Sequence, residues 1–265
     1  GYCTHDVLIE VVTAFQDEST VSFIQQHYAS LTGEKERLKY PLLRTLAGIK
    51  TEAAYAVLKK LLLQQPPGGG TPTGLATAIV SSGKLSRVFF PEALEQKNSE
   101  AMDDVWTIVA NNLADSGWLQ LQELVPYKEV LRAQAAARFE THRSTRSNAA
   151  WAPYSTIYLL GKFNDAPSHA LLQQMLKSHE LNVVREVVEV LLKNGQAVDA
   201  KTIEKVAADR YYRLGFYSFL KEEGKLALFP TKYATQQSLT ESELFIYASD
   251  DEEPSKITFI GERTG

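Results

Sequence analysis

The 265-residue sequence contains a single cysteine, Cys3, and two methionines. One cysteine excludes an internal disulfide and a zinc site built from several cysteines. No run of apolar residues approaches about 18, the length typical of a membrane-spanning helix. We therefore expect a soluble chain without membrane insertion, and neither feature indicates its cellular compartment.

An excess of basic charge is also lacking. Lys and Arg together number 28 and Asp and Glu 32, which gives a net charge of −4. A chain that binds nucleic acid along its whole length needs a basic excess. We therefore expect no nucleic-acid partner, although a local basic stripe is compatible with this average.

Catalytic and cofactor motifs are the third absence. The five histidines are dispersed, without the His-x-x-x-His spacing of a helical metal site, and no Gly-x-Ser-x-Gly elbow occurs. Gly69 and Gly74 have the spacing of a phosphate-binding loop, but Leu75 and Ala76 occupy the positions of its lysine and hydroxyl. We predict no catalytic residue, no cofactor and no metal site, and hence no enzymatic activity.

The sequence does contain a recurring helix–break–helix pattern. Segments 42–62 and 156–176 match at a shift of 114 residues. Their apolar positions coincide, although few of the aligned residues are identical. Within each of the two predicted helices of a copy, the apolar residues are spaced i, i+3, i+4, which marks one face of a helix. The matched pairs include Leu43 with Ile157, Leu46 with Leu160, Leu58 with Leu172 and Leu62 with Leu176.

Two further copies extend the pattern. One lies 34 residues before the first segment and the other lies 31 residues after the second. The breaks carry side-chain oxygens that suit helix N-caps, at Asp17, Thr51, Asp165 and Asp199. Periods of about 30 to 40 residues are typical of stacked helical hairpins. The pattern predicts a mainly α fold, a right-handed α-α superhelix (solenoid); an ordinary helical bundle is the alternative.

The segment LLRTLAGIKTEAAYAVLKKLL and its copies resemble the HEAT family of α-helical repeats, at the junction between two successive repeats. The resemblance covers residues 7–62 and 155–208. It implies a curved scaffold that binds other proteins, and it brings no shared catalytic residues.

Composition divides the chain further. We predict a repeat array over residues 1–228, with a flexible Pro/Gly linker at 64–74, and a small α+β extension over 229–265. In the extension, Thr240 and Glu243 have capping-box spacing, and KITFIG alternates like a strand. Since the chain does not begin with Met and stops just after KITFIG, we expect a piece of a longer protein or a processed form.

The middle of the chain offers core residues and a basic cluster. Trp106, Trp118 and Leu121 are predicted anchors of an inter-helix core. The basic cluster is a candidate anion or phosphorylated-partner site, since guanidinium groups suit phosphate; the alternative is a solvated last helical turn. Its members are Arg138, His142, Arg143 and Arg146.

An aromatic cluster lies further along the chain. Such side chains dominate interface hot spots, so the cluster is a candidate peptide-binding surface. The alternative is a plug that closes the last hairpin, because terminal repeats are atypical. Its members are Tyr211, Tyr212, Phe216, Tyr217 and Phe219.

Together these features predict a non-catalytic protein–protein interaction scaffold. Its concave helical surface would bind a protein or peptide, or another region of a longer parent protein. Two alternatives stay open. One is a nucleic-acid-binding enzyme resembling the DNA glycosylases built from HEAT-like repeats. The other is an accessory region of a larger enzyme whose active site lies outside this chain.

Overall fold

The computed structural model describes residues 11–12, 15, 17–64, 72–96, 99–145 and 153–248. In these ranges the chain is mainly helical and contains no strand, so the predicted helical class is confirmed. The strand predicted at KITFIG lies outside the described residues, as does most of the predicted linker. None of the described helices combines the length and the apolar character needed to cross a membrane.

The chain divides into two compact units, Gly1–Phe163 and Asn164–Gly265. Short 3₁₀ helices connect several of the α-helices in each unit. The first unit contains α1 (Glu18–His27), α2 (Lys39–Ile49), α3 (Glu52–Gln64), α4 (Pro72–Val80), α5 (Glu92–Glu95), α6 (Glu100–Asp115), α7 (Leu121–Leu124), α8 (Lys128–Thr145) and α9 (Pro153–Phe163). The second contains α10 (Ala166–Met175), α11 (Leu181–Lys193), α12 (Ala200–Ala208), α13 (Arg213–Glu222) and α14 (Gln236–Ala248).

The predicted N-caps are confirmed. Each cap side chain accepts a hydrogen bond from a backbone amide in the first turn of its helix, and that amide has no partner within the helix. The distances are 3.1 Å from Thr20 N to Asp17, 3.2 Å from Ala54 N to Thr51, 3.1 Å from Ser168 N to Asp165 and 2.9 Å from Thr202 N to Asp199.

A left-handed backbone residue follows the first helix of three of the repeat copies. Lys50 has φ 56° and Asn164 has φ 46°, and these two residues are related by the same 114-residue shift as the apolar pattern. Gly195, with φ 72°, lies 31 residues after Asn164 and follows α11. A residue in this conformation ends a helix by turning the chain out of it. These three copies therefore share a backbone conformation at the end of their first helix, in addition to their apolar positions.

The apolar stripes of the repeat are buried. Leu43, Leu58, Ile157 and Leu172 are all fully buried, as the periodicity predicts. Each of these helices thus buries one apolar face. The boundary between the two units falls inside the second copy, between α9 and α10.

The core of the first unit is organised around aromatic side chains. The ring centroids of Tyr55 and Phe89 lie 6.0 Å apart, and those of Phe89 and Trp106 lie 5.2 Å apart. The Tyr55 hydroxyl donates to the carbonyl of Ile79 at 2.7 Å, and the Ser86 hydroxyl donates to the same oxygen. These bonds hold the 3₁₀ helix Gly83–Phe89 against α3 and α4. Trp106 is buried, as predicted.

In the second unit, Arg213 connects the last two helices to α12. Its guanidinium donates to the carbonyls of Ala207 at 3.0 Å, Ala208 at 2.9 Å and Ser238 at 3.0 Å. The first two carbonyls are at the end of α12, where backbone oxygens lack intrahelical partners. The third belongs to α14, so one cation secures both helices.

The predicted start of the last helix is wrong. Thr240 lies inside α14, which begins at Gln236, and Thr235 Oγ1 accepts from Ser238 N at 3.2 Å. Thr235 and Thr240 both carry a hydroxyl that can cap a helix. The spacing of Thr240 and Glu243 therefore does not exclude a cap at Thr235. The part of the extension that is described, up to Ala248, is helical.

Replacing Asp199 with alanine removes the acceptor that caps α12. We expect the free energy of unfolding of the full chain to fall by about 1 kcal/mol at neutral pH, measured by urea denaturation. Lys201→Ala, an exposed position in the first turn of the same helix, is the control and should change little.

The same variant has a pH dependence with a defined sign. The hydroxyl of Thr202 and then its amide lower the pKa of Asp199. The cap therefore stabilises the fold above the unfolded carboxyl pKa of about 4, and this contribution is lost as pH falls through the lower folded-state pKa. An equal difference between Asp199→Ala and the parent chain at neutral pH and at strongly acidic pH would contradict this account.

Candidate functional site

The two described arginines of the basic cluster are paired with carboxylates. Arg138 Nε donates to Asp104 Oδ1 at 3.3 Å, Nη2 makes a second bond, and Asp104 is only 3% exposed. Arg143 Nη2 donates to Glu140 at 2.7 Å on the helix surface. His142 is buried, and Arg146 lies outside the described residues. These pairs favour the helix-end interpretation for Arg143 and a packing role for Arg138.

The aromatic cluster divides between core and surface. Phe216 is fully buried and packs with Val206 and Leu220 in the core of the second unit. Tyr212, Tyr217 and Phe219 are half-buried against that core, whereas Tyr211 is 52% exposed. Four of the five members therefore contribute to packing, which favours the plug interpretation for them.

The first unit contains a pocket of about 420 Å³ with a mixed apolar and polar lining, which the sequence pattern does not predict. One wall follows the 3₁₀ helix Gly83–Phe89 and continues into α5. The other wall is formed by α7 and its flanking residues. We call it the Leu94 pocket, and its apolar lining consists of Phe90, Pro91, Leu94, Leu119, Leu124 and Pro126.

Core packing positions the first wall. Phe89 is fully buried against Trp106, and the adjacent Phe90 ring lies 6.3 Å from Trp106, nearly perpendicular to it. Because Phe89 is fixed in the core, Phe90 and Pro91 are held at the edge of the pocket. The pocket is therefore built on a packed aromatic cluster, which restricts its movement.

A capping box positions the second wall. The backbone amide of Gln120 donates to Glu123 Oε2 at 2.8 Å, and the Gln120 side chain accepts in return from the amide of Glu123. This reciprocal pair begins α7, which carries Leu124 into the pocket lining. Glutamine is not among the preferred N-cap residues, so the sequence signal for this helix start is weak.

Trp118 lies beside this wall and is not a core residue. The prediction that it anchors an inter-helix core is wrong, because its side chain is 40% exposed. Its ring lies against Gly83, where an added Cβ would come within 2.6 Å of the indole. Gly83 also has φ 58°, so both the backbone conformation and the close approach require glycine there.

The polar groups of the pocket are paired with one another. Arg87 forms a salt bridge with Glu123, and the Tyr127 hydroxyl donates to Glu95 Oε1 at 2.9 Å. The hydrogen bond to Glu95 is the main cause that raises the pKa of Tyr127. Among the described residues that line it, there is no serine, cysteine or histidine. The arrangement is suited to burying an apolar group.

No protein-family model matches the chain, and searches of curated proteins and of solved structures also gave no match. The functional interpretation therefore depends on the geometry of the chain itself.

The split of the aromatic cluster is testable by two alanine substitutions. Phe216→Ala should lower the free energy of unfolding by about 3 to 5 kcal/mol, because it leaves a cavity in a closed core. Tyr211→Ala should stay within about 0.5 kcal/mol, because the side chain is mostly in solvent. Urea denaturation measures the free energy of unfolding of both variants. Equal losses of this free energy would show that Tyr211 is also a core residue.

Proposed function

We propose that the protein is a non-catalytic interaction scaffold that binds a protein or peptide, with the Leu94 pocket as its principal contact site. The observation that carries the proposal is the pocket itself. Most of its lining residues are apolar, and Arg87, Glu123 and the Tyr127 hydroxyl each bond to a side chain of the same chain. Such a site can take up an apolar side chain.

Exposed apolar residues next to the pocket support a macromolecular partner. Val88 is 40% exposed and Val125 is 48% exposed, and each is a chain neighbour of a pocket-lining residue. Trp118, also partly exposed, precedes the lining residue Leu119. Contiguous exposed apolar surface is typical of sites that a partner covers, and these three residues add exposed apolar area close in sequence to the pocket lining.

The proposal includes a HEAT-like solenoid, in which helical hairpins stack and present a concave helical surface. Three observations support it: the capped breaks, the left-handed residues at equivalent repeat positions and the buried stripes. The alternative of a nucleic-acid-binding enzyme has less support, because Arg138 and Arg143 each bond to a carboxylate.

A displayed library of random peptides, selected against the full chain, tests the proposed function. We expect peptides that bind the parent chain and bind Pro126→Arg at least tenfold more weakly, because a long charged side chain would obstruct the pocket. Pro126 is an exposed lining residue, so the substitution should leave the fold intact, as circular dichroism can verify.

Gln122→Arg is the matched control, since it adds the same charge to an exposed position of α7 outside the pocket lining. Its peptide binding should equal that of the parent chain. Selection of no peptide, or equal binding by Pro126→Arg, would refute the proposed function. Tight and steeply salt-dependent binding of duplex DNA would instead favour the nucleic-acid alternative.

A further inference from the structure

We propose that the partner segment taken by the Leu94 pocket consists of a large apolar side chain flanked by lysine or arginine. This inference rests on the proposed function and adds the chemistry of the partner. The apolar lining selects the anchor, and the charges around the mouth select its neighbours.

Three carboxylates lie in or beside the pocket, and two of them are paired. Glu123 is paired with Arg87, and Glu92 Oε2 is paired with Lys59 Nζ at 2.9 Å. The third, Glu95, lies with Glu92 on the short helix α5 and has no ion pair among the described residues.

A hydrogen bond connects that charge to the pocket. Glu95 Oε1 accepts from the hydroxyl of Tyr127, a lining residue, at 2.9 Å. Its other oxygen, Oε2, has no bond to any described residue, and the side chain is exposed. An exposed carboxylate with one oxygen available can accept a hydrogen bond from an ammonium or guanidinium group. It disfavours an acidic neighbour by the same Coulomb interaction.

The size of the effect follows from the exposure of Glu95. Exposed ion pairs contribute little, so the apolar anchor provides most of the affinity and the flanking charge provides selectivity. We expect a lysine-flanked segment to bind about threefold to fivefold more tightly than a glutamate-flanked one at low salt. Added salt should reduce this preference, because both charges are in solvent.

Two synthetic peptides test the inference: acetyl-Ser-Lys-Phe-Lys-Ser-amide and its counterpart with glutamate in place of both lysines. Binding to the full chain is followed by the amide NMR shifts of residues 87–95 and 119–127. The lysine peptide should bind more tightly. Glu95→Gln should remove most of the difference, and Glu95→Lys should reverse it.

Glu243→Gln is the matched control, because it removes an exposed carboxylate from the second unit, and it should leave the preference unchanged. Equal binding of the two peptides at the pocket, with no effect of Glu95→Gln, would overturn the charge inference and leave the proposed function standing. Shifts from neither peptide in these segments would overturn the inference. If no peptide sensitive to Pro126→Arg is selected either, the proposed function fails with it.

Discussion

The carbonyl oxygen of Ile79 is the point on which the architecture of the first unit depends. It accepts hydrogen bonds from the hydroxyls of Tyr55 and Ser86, and both hydroxyls are buried. Burial raises the pKa of Tyr55, so the hydroxyl keeps its proton and remains a donor. The backbone amide of Ser82 also donates to this oxygen, at 3.3 Å. The two side-chain bonds connect α3 and the 3₁₀ helix Gly83–Phe89 to the end of α4, and so they position one wall of the pocket.

The pocket follows from that constraint together with the short helix α7. Phe89 is packed into the core, so the residues after it lie at a defined distance from the second wall. The capping box of Gln120 and Glu123 holds that wall, and the bond between Glu123 and Arg87 connects the two. The same pairs that stabilise the walls give the polar side chains of the lining their partners. The remaining lining is apolar, and one carboxylate without an ion pair among the described residues, Glu95, lies at its edge.

The sequence predicts the local features of this fold and misses those that depend on distant residues. The caps at Thr51 and Asp165 and the buried stripes could be predicted, because an N-cap or a helix face is set by residues a few positions apart. The pocket could not, since Arg87 and Glu123 are 36 residues apart and meet only through the packing of several helices. The same holds for Arg138, whose partner Asp104 lies 34 residues earlier.

The proposed function requires above all that the Leu94 pocket is preformed and accepts an apolar group. Methyl-labelled leucine allows a direct measurement, because Leu94, Leu119 and Leu124 line the pocket, whereas Leu43 and Leu58 are buried elsewhere in the same unit. On titration with indole, the methyl signals of the three lining leucines should shift together and saturate, and those of Leu43 and Leu58 should stay unchanged. No shift at the lining leucines, or equal shifts at all five, would contradict the account.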